Sequence, residues 1–323
     1  MSTFDSCSVS ASKSKDGVCE LSDMLKDNSM MVVDKDDVSV CANCRKEGSD
    51  INNICNKCKV VKYCNATCKK KHRHKHKKEC EELIRLAAER AAKLHDEELF
   101  KQPPPAEDCP ICFLRMPTLG TGFRYMACCG KVICSGCDYA PVYDNQGNIV
   151  AKKCPYCRAP ASKSQKESIK REKKRVDVDD PVAIYNLGNH YRDGTNGFPQ
   201  DYTKALELWH RAGELGYAMA YSNIGYTYET GRGVEVDKKK VLHYWELGAM
   251  RGCVVARNNL GVIELCEGNM DRALKHYIIT VEGGDIKSLD AIKRMYLKGD
   301  ATKDDYSKAL QLYQTYVFGR DQE

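Results

Sequence analysis

No stretch of this 323-residue chain approaches the ~18 consecutive apolar residues that a membrane-spanning helix needs, so no membrane partner is expected. The first residues, Met1 to Asp23, scatter Ser, Lys and Asp where a secretory leader would have an apolar core. A reducing compartment, cytoplasm or nucleus, is therefore expected, and cysteines kept reduced are read as metal ligands rather than disulfides. There is no Gly-Lys-Ser/Thr loop between a strand and a helix, so the 23 glycines supply no nucleotide site. A large charge of one sign is missing too: 51 basic residues against 45 acidic ones leave +6, too little to argue for nucleic acid. Histidine is absent between His95 and His190, so any metal site in that interval must be built of thiolates or carboxylates.

What is abundant is cysteine, with 19 residues, and it is patterned. Residues 1–40 are polar, hold Cys7 and Cys19 in isolation, and are read as a disordered tail. From Cys41 the spacing becomes regular: Cys41/Cys44, Cys55/Cys58, Cys64/Cys68 and His76/Cys80 make four pairs. Two-residue spacers let a tight turn aim two thiolates at one tetrahedral zinc, while pairs four apart share one face of a short helix. His72 and His74 lack the right distance to Cys80 and are read as solvated.

This order and spacing resemble the MYND zinc finger over residues 41–80, with Tyr63 before Cys64 and Lys77 after His76 also matching. The resemblance implies two interleaved zinc sites, Cys41, Cys44, Cys64 and Cys68 for the first and Cys55, Cys58, His76 and Cys80 for the second. It also implies a peptide partner. Many MYND fingers carry a Gln after the sixth ligand and a Trp in the last helix, where this chain has Lys69 and Arg73. The basic run from Lys69 to Lys78 is read as a solvated face that offsets the thiolates. Leu83, Leu86, Ala87, Ala91 and Leu94 then recur near helical spacing, predicting an amphipathic linking helix over residues 81–102 that Pro103, Pro104 and Pro105 stop.

A second cluster fills residues 109–158: Cys109/Cys112, the adjacent Cys128 and Cys129, Cys134/Cys137 and Cys154/Cys157. It resembles a RING finger of the all-cysteine type. The resemblance implies a cross-brace, with Cys109, Cys112, Cys134 and Cys137 on one zinc and Cys128, Cys129, Cys154 and Cys157 on the other. It further implies contact with a ubiquitin-conjugating enzyme through Ile111, Pro155 and Arg158, the arginine suited to bridging two partners by its fork of donors. Catalysis would then be by positioning, with no catalytic residue of the chain's own.

Residues 159–179 are charged; the run Lys170 to Arg175 reads as a helical, solvated linker or a nuclear-import signal. Over residues 180–318 the sequence repeats itself. Gly188, Gly225 and Gly261 are 37 and 36 apart, and Ala205, Val241, Ala273 and Ala309 recur with a leucine after each. Asp201, Asp237, Asn269 and Asp305, four residues earlier, are N-cap candidates, and Leu206, Leu242, Leu274 and Leu310 a buried stripe. "NLGNHYRDG" and "NIGYTYETGRG" resemble the SEL-type relatives of tetratricopeptide repeats, which implies about four helical hairpins stacked to hold a protein segment. Tyr185, Trp209, Tyr221 and Trp245 are candidates to line it or to fill its core.

The fold class expected is multidomain: two small zinc-stabilised cross-brace fingers followed by an all-α helical-repeat solenoid, with four zinc ions. The expected function is an adaptor that selects proteins through its repeats and recruits a ubiquitin-conjugating enzyme as a RING-type ubiquitin ligase. The alternative is a non-catalytic interaction scaffold. A nucleic-acid-binding regulator stands third.

Overall fold

The computed structural model describes residues 39–49, 51–117, 122–141, 143, 146–148 and 153–319. The tail expected over residues 1–40 lies outside the described residues except for its last two. The chain forms two compact units, divided between Asp96 and Glu97.

In the first unit a two-residue hairpin, β1 (Asn53–Ile54) against β2 (Lys62–Tyr63), leads into one helix, α1 (Ala66–Leu99). The core is minimal, Cys41, Ile51 and Tyr63, as expected of a module whose folding energy comes from metal. The linking helix does not start at residue 81. It is continuous with the helix that carries Cys68, His76 and Cys80, because residues 66–99 contain neither Gly nor Pro to interrupt it. It also ends at Leu99, short of the proline run. Its expected apolar face is not buried: Leu86 and Leu94 stand exposed, and neighbouring turns are held by Arg85 reaching Glu82 and Glu89.

The second unit begins with another small finger. Strands β3 (Phe123–Met126) and β4 (Lys131–Cys134) pair antiparallel, Phe123 opposite Cys134, and the short helix α2 (Ser135–Tyr139) follows. Cys109, Met116 and Ile133 form its core. Helix α3 (Gln165–Val176) comes next, so the stretch read as a linker is structured and packs on the following helix. Its charges are not simply solvated: Glu172 is buried, Arg171 pairs with Glu167 and Arg175 with Asp180.

Four helical hairpins follow: α4 (Pro181–Asp193) with α5 (Tyr202–Glu214), α6 (Met219–Thr230) with α7 (Lys238–Met250), α8 (Val254–Glu267) with α9 (Met270–Glu282), and α10 (Ile286–Lys298) with α11 (Lys303–Gly319). The first helix of each ends on a glycine in the left-handed conformation, Gly194, Gly231, Gly268 and Gly299, so the third hairpin keeps this glycine although it lacks the others of its loop. Ala205, Val241, Ala273 and Ala309 are all buried, as their recurrence predicts. Trp209, Tyr221 and Trp245 are core residues and Tyr185 is half-buried against them.

Three register details differ from expectation. Asp201 and Asp237 cap their helices, but Asn269 turns its amide to Glu264 instead. Asp305 lies inside α11, where it receives the N–H and hydroxyl of Thr302 while its own N–H donates to the Thr302 Oγ1, a reciprocal capping box one turn before the expected cap. Leu242 is exposed, because Val241 takes the inward position beside it.

Two polar fastenings organise the second unit. Asp180, the N-cap of α4, accepts the N–H groups of Val182 and Ala183 through Oδ1. Its Oδ2 receives the Tyr125 hydroxyl from the finger at 2.9 Å and the Arg175 guanidinium at 2.9 Å. Burial, and then the Asp180 carboxylate, push the Tyr125 phenol well above its ordinary range, so it stays a donor. Gly130 must be small here: a Cβ would lie 2.3 Å from the Arg175 guanidinium and 2.5 Å from Asp180 Oδ2. Asp180→Asn keeps the cap but removes the charge and one acceptor; it is expected to cost about 1.5–3 kcal/mol in thermal unfolding. Asp180→Ala should cost about 1 kcal/mol more by losing the cap. An Asn variant that melts like the parent would show that the carboxylate does not hold the finger.

The second fastening is Arg257, buried in α8 without a carboxylate. It donates to the carbonyl of Leu99 at 2.8 Å and to that of Ala249 at 2.7 Å, the last turns of α1 and α7. Burial lowers its guanidinium to about 10, and the two helix C-termini supply the negative ends that keep it charged. Around it Leu99 packs with Val241, Trp245 and Leu260, Phe100 sits 4.7 Å from the His276 ring, and Gln102 donates to Glu282.

Candidate metal centres

Four of the five Cys-x-x-Cys pairs share one turn. In each of Cys41–Cys44, Cys55–Cys58, Cys109–Cys112 and Cys154–Cys157, the residue after the second cysteine is left-handed: Arg45, Lys59, Phe113 and Arg158. Its N–H donates to the carbonyl of the first cysteine at 2.9–3.0 Å. In all but the Cys55 knuckle the first cysteine's N–H closes the loop on the carbonyl five residues on, Lys46, Leu114 and Ala159. This turn aims two Sγ atoms at one point.

Partners come from elsewhere in each finger. In the first unit Cys64 lies two residues before α1 and Cys68 in its first turn, so this pair is not on one helical face as expected; the turn at Asn65, whose Oδ1 accepts the Cys68 N–H, brings them together. His76 and Cys80 do share a face of α1, although the helix is long rather than short. In the second unit Cys134 caps α2, its Sγ accepting the N–H of Cys137. The adjacent Cys128 and Cys129 sit in the turn between β3 and β4, where both N–H of Cys129 and of Gly130 reach the carbonyl of Met126.

The result is four sets of four ligand atoms: Cys41, Cys44, Cys64, Cys68; Cys55, Cys58, His76, Cys80; Cys109, Cys112, Cys134, Cys137; and Cys128, Cys129, Cys154, Cys157, each set within 4.8 Å. A zinc–sulfur bond of about 2.3 Å implies about 3.8 Å along a tetrahedron's edge. The separations agree: 3.6 Å for Cys44–Cys64, 3.8 Å for Cys55–Cys80, 3.7 Å for Cys112–Cys134, and 3.9 and 3.5 Å for Cys129–Cys154 and Cys128–Cys157. The donors, fifteen thiols and one imidazole, are those zinc favours, and the chain is a zinc-binding protein with four such sites. The adjacent pair, the least regular spacing in the sequence, joins its set as fully as the others.

The donors are prepared for the metal. Burial would raise Cys41 and Cys109, but backbone N–H groups outweigh it and hold both thiols down to about 6. Cys64, donating to Cys68 and lying against Cys44, is pushed up to about 12. Zinc binding therefore displaces thiol protons, and acid competes with it. His76 places Nε2 3.4 Å from Cys58 Sγ and Nδ1 3.1 Å from the Glu79 carboxylate. Burial works against its proton, but Glu79 and the Cys55 and Cys58 sulfurs raise it to about 9. With Nδ1 held by Glu79, Nε2 is the atom left for zinc.

Several of these residues escaped the sequence reading. Glu79 had a signal, its i+3 position from His76. Asn43, which donates to Cys68 Sγ, had none. His72 is not solvated: its Nδ1 meets the Tyr63 hydroxyl at 3.3 Å. Lys69 ties α1 to the hairpin through the Ile54 carbonyl and Asn56 Oδ1. Of the conjugating-enzyme contacts expected from the sequence, Arg158 is exposed, Pro155 half-buried, and Ile111 half-buried against the finger's own core. Beside Ile111, Phe113 is 77% exposed, thrown outward by its left-handed backbone.

Two family models match segments of this chain. A MYND finger model matches residues 41–80, and a Sel1 repeat model matches residues 181–217, 218–253 and 291–315. Chitin synthase regulatory factor 3 of Schizosaccharomyces pombe is 28% identical over 85 residues, which is 26% of this chain and 9% of that protein. Thus the chain spans about a tenth of the length of that curated relative. Among solved structures, a Sel1 repeat protein from Oxalobacter formigenes is 30% identical with a TM-score of 0.43, covering 50% of this chain and 66% of that one. The protective antigen c5321 of uropathogenic Escherichia coli, which displays an SLR fold, is 24% identical with a TM-score of 0.40, covering 50% and 38%. This chain carries a zinc-binding MYND finger at residues 41–80 and Sel1 repeats between residues 181 and 315, separated by a second four-pair cysteine finger.

Proposed function

We propose that the chain is an adaptor for ubiquitin transfer in the cytoplasm or nucleus. Its second finger recruits a ubiquitin-conjugating enzyme, as a RING finger does, and its repeats or MYND finger select the protein to be modified. The observation that carries this reading is the cross-brace. The first and third cysteine pairs of the second finger share one site, and the second and fourth share the other. That arrangement brings the knuckles bearing Ile111 and Pro155 onto one small metal-held scaffold, with Arg158 exposed at the end of the second knuckle. A guanidinium in that position can donate to two partners at once. Phe113 and the partly exposed Leu114 extend the apolar surface next to Ile111.

A second reading, a scaffold without ligase activity, is favoured by one observation: Ile111 packs against the finger's core of Cys109, Met116 and Ile133 and so already has a structural task. The nuclear-import reading of Lys170 to Arg175 loses support, since Arg171 and Arg175 are engaged in ion pairs.

Zinc-loaded protein incubated with ubiquitin, activating enzyme and a panel of conjugating enzymes should form ubiquitin chains. Arg158→Ala should lower the rate at least tenfold, about 1.4 kcal/mol in transition-state positioning, with zinc content unchanged. Wild-type protein with four zincs that is inactive across the panel would favour the scaffold.

A further inference from the structure

The second unit contains a cleft of about 680 Å³ between the finger, α3 and α4, and it is lined mostly by uncharged polar groups. On its floor Asn186 and Ser168 are half-buried, and neither side chain has a hydrogen-bond partner among the described residues. Asn189 beside them is fixed from the next hairpin by Asn223, whose Nδ2 donates to its Oδ1 at 3.1 Å. One wall is a hydrogen-bonded relay. Gln165 donates to Asn196 Oδ1, the Asn196 amide donates to His190 Nδ1 at 2.9 Å, and His190 Nε2–H donates to the buried Glu172 at 3.0 Å. Each link sets the orientation of the next, so the wall is ordered before anything binds. Phe198 stacks on the His190 ring at 5.7 Å.

A second cleft of about 490 Å³ shares Gln165, Ile169 and Asn196 with the first; its lining adds Lys166, Lys173, Gly197 and Phe198 and contains no carboxylate. The two acids of the first cleft are both taken, Glu172 by His190 and Asp193 by Arg192. The surplus charge along the path is therefore positive and lies at one end.

We propose that this double cleft is a binding site for an extended polypeptide segment carrying an acidic side chain. A carboxamide offers both a donor and an acceptor, which matches the N–H and C=O that an extended backbone presents alternately. Asn186, with both functions free, pairs with the segment's backbone, Ser168 contributes a hydroxyl, and Lys166 and Lys173 receive the carboxylate beyond. Backbone contacts give affinity without a sequence requirement, and the lysines supply the preference for acid. This deepens the adaptor reading by naming what the repeats hold, and it is tested without ubiquitin, so a missing ligase activity and a missing peptide site are separate results.

The probe is a fluorescein-labelled pool of nonapeptides, Glu at the centre and mixed residues elsewhere. Parallel pools carry Lys at the centre or a methyl on every backbone nitrogen. Full-length zinc-loaded chain should bind the Glu pool saturably and at least tenfold more tightly than the Lys pool, and should not bind the methylated pool. Asn186→Leu should weaken binding tenfold or more while leaving the circular dichroism melt in place. Lys166→Glu with Lys173→Glu, both on the exposed surface of α3, should invert the preference between the Glu and Lys pools. The proposal is overturned if the Glu pool shows no saturable binding, if the methylated pool binds as well, if Asn186→Leu leaves affinity unchanged, or if the charge reversal does not invert the preference.

Discussion

Cys128→Ser should lower the zinc content from four ions per chain to three and leave the second finger open to proteases. The reasoning is one of scale. A structural zinc contributes about 10–16 kcal/mol to folding, whereas the core cluster of that finger among the described residues, Cys109, Met116 and Ile133, is too small to stand in for it. Serine offers a hard, protonated oxygen where the set needs a fourth thiolate, and Cys157 loses the sulfur 3.5 Å away. The repeats should keep their helices, because their cores, centred on Ile184 and Trp209, on Trp245 and Leu260, and on Tyr277 and Ile292, contain no ligand. The measurement is elemental analysis beside limited proteolysis and far-ultraviolet circular dichroism. Four zincs and unchanged protease resistance in the variant would mean that Cys129, Cys154 and Cys157 suffice, and would remove Cys128 from the set.

The second large effect is expected from Gly225→Leu. Gly225 in α6 faces the indole of Trp245 in α7, and even a Cβ there would lie 2.3 Å from Trp245 Cδ1 and Nε1. The indole cannot retreat: it is buried, and its N–H donates to the Ser222 carbonyl at 3.2 Å. A leucine must push the two helices apart or expel the ring, at about 3 kcal/mol or more. For a unit of this size that is a fall of roughly 6–12 °C in the melting temperature of the repeats. Tyr226→Leu, one residue on and facing solvent, is the control and should shift stability by no more than about 0.5 kcal/mol. Equal melting of the two variants would break the assigned contact between α6 and α7.

The ligand pairs were legible because each is local in sequence, two donors on one tight turn or one helical turn, and the resemblance to MYND and RING fingers implied how those pairs gather into the sets seen. The repeat register was legible for a similar reason, since Gly188, Gly225 and Gly261 meet Trp209, Trp245 and Tyr277 at one recurring contact. Contacts between distant residues left no such trace. Nothing periodic joins Leu99 to Arg257, 158 residues apart, or Tyr125 to Asp180. A charged stretch such as residues 165–176 reads as solvated until the finger and α4 are seen to occupy its partners. Helix boundaries failed where a neighbour outvoted local preference, as at Leu99, whose side chain is buried among α7 and α8 before the prolines are reached.

The hold of Arg257 on the Leu99 carbonyl bears on where the molecule can be cut. A fragment starting at Asp180, where the sequence repeats begin, would strip that guanidinium of one of its two acceptors and uncover Val241, Trp245 and Leu260. A cation left in an apolar cleft is costly, and water would enter the seam between the second and third hairpins. The autonomous piece thus includes residues 97–105, and a nick just after Phe100 would leave all four hairpins whole but sever Leu99 and Phe100 from them. In this chain the tether between zinc modules doubles as a missing strip of the repeats' surface, and exchange of the repeats for another set would have to carry the strip with them.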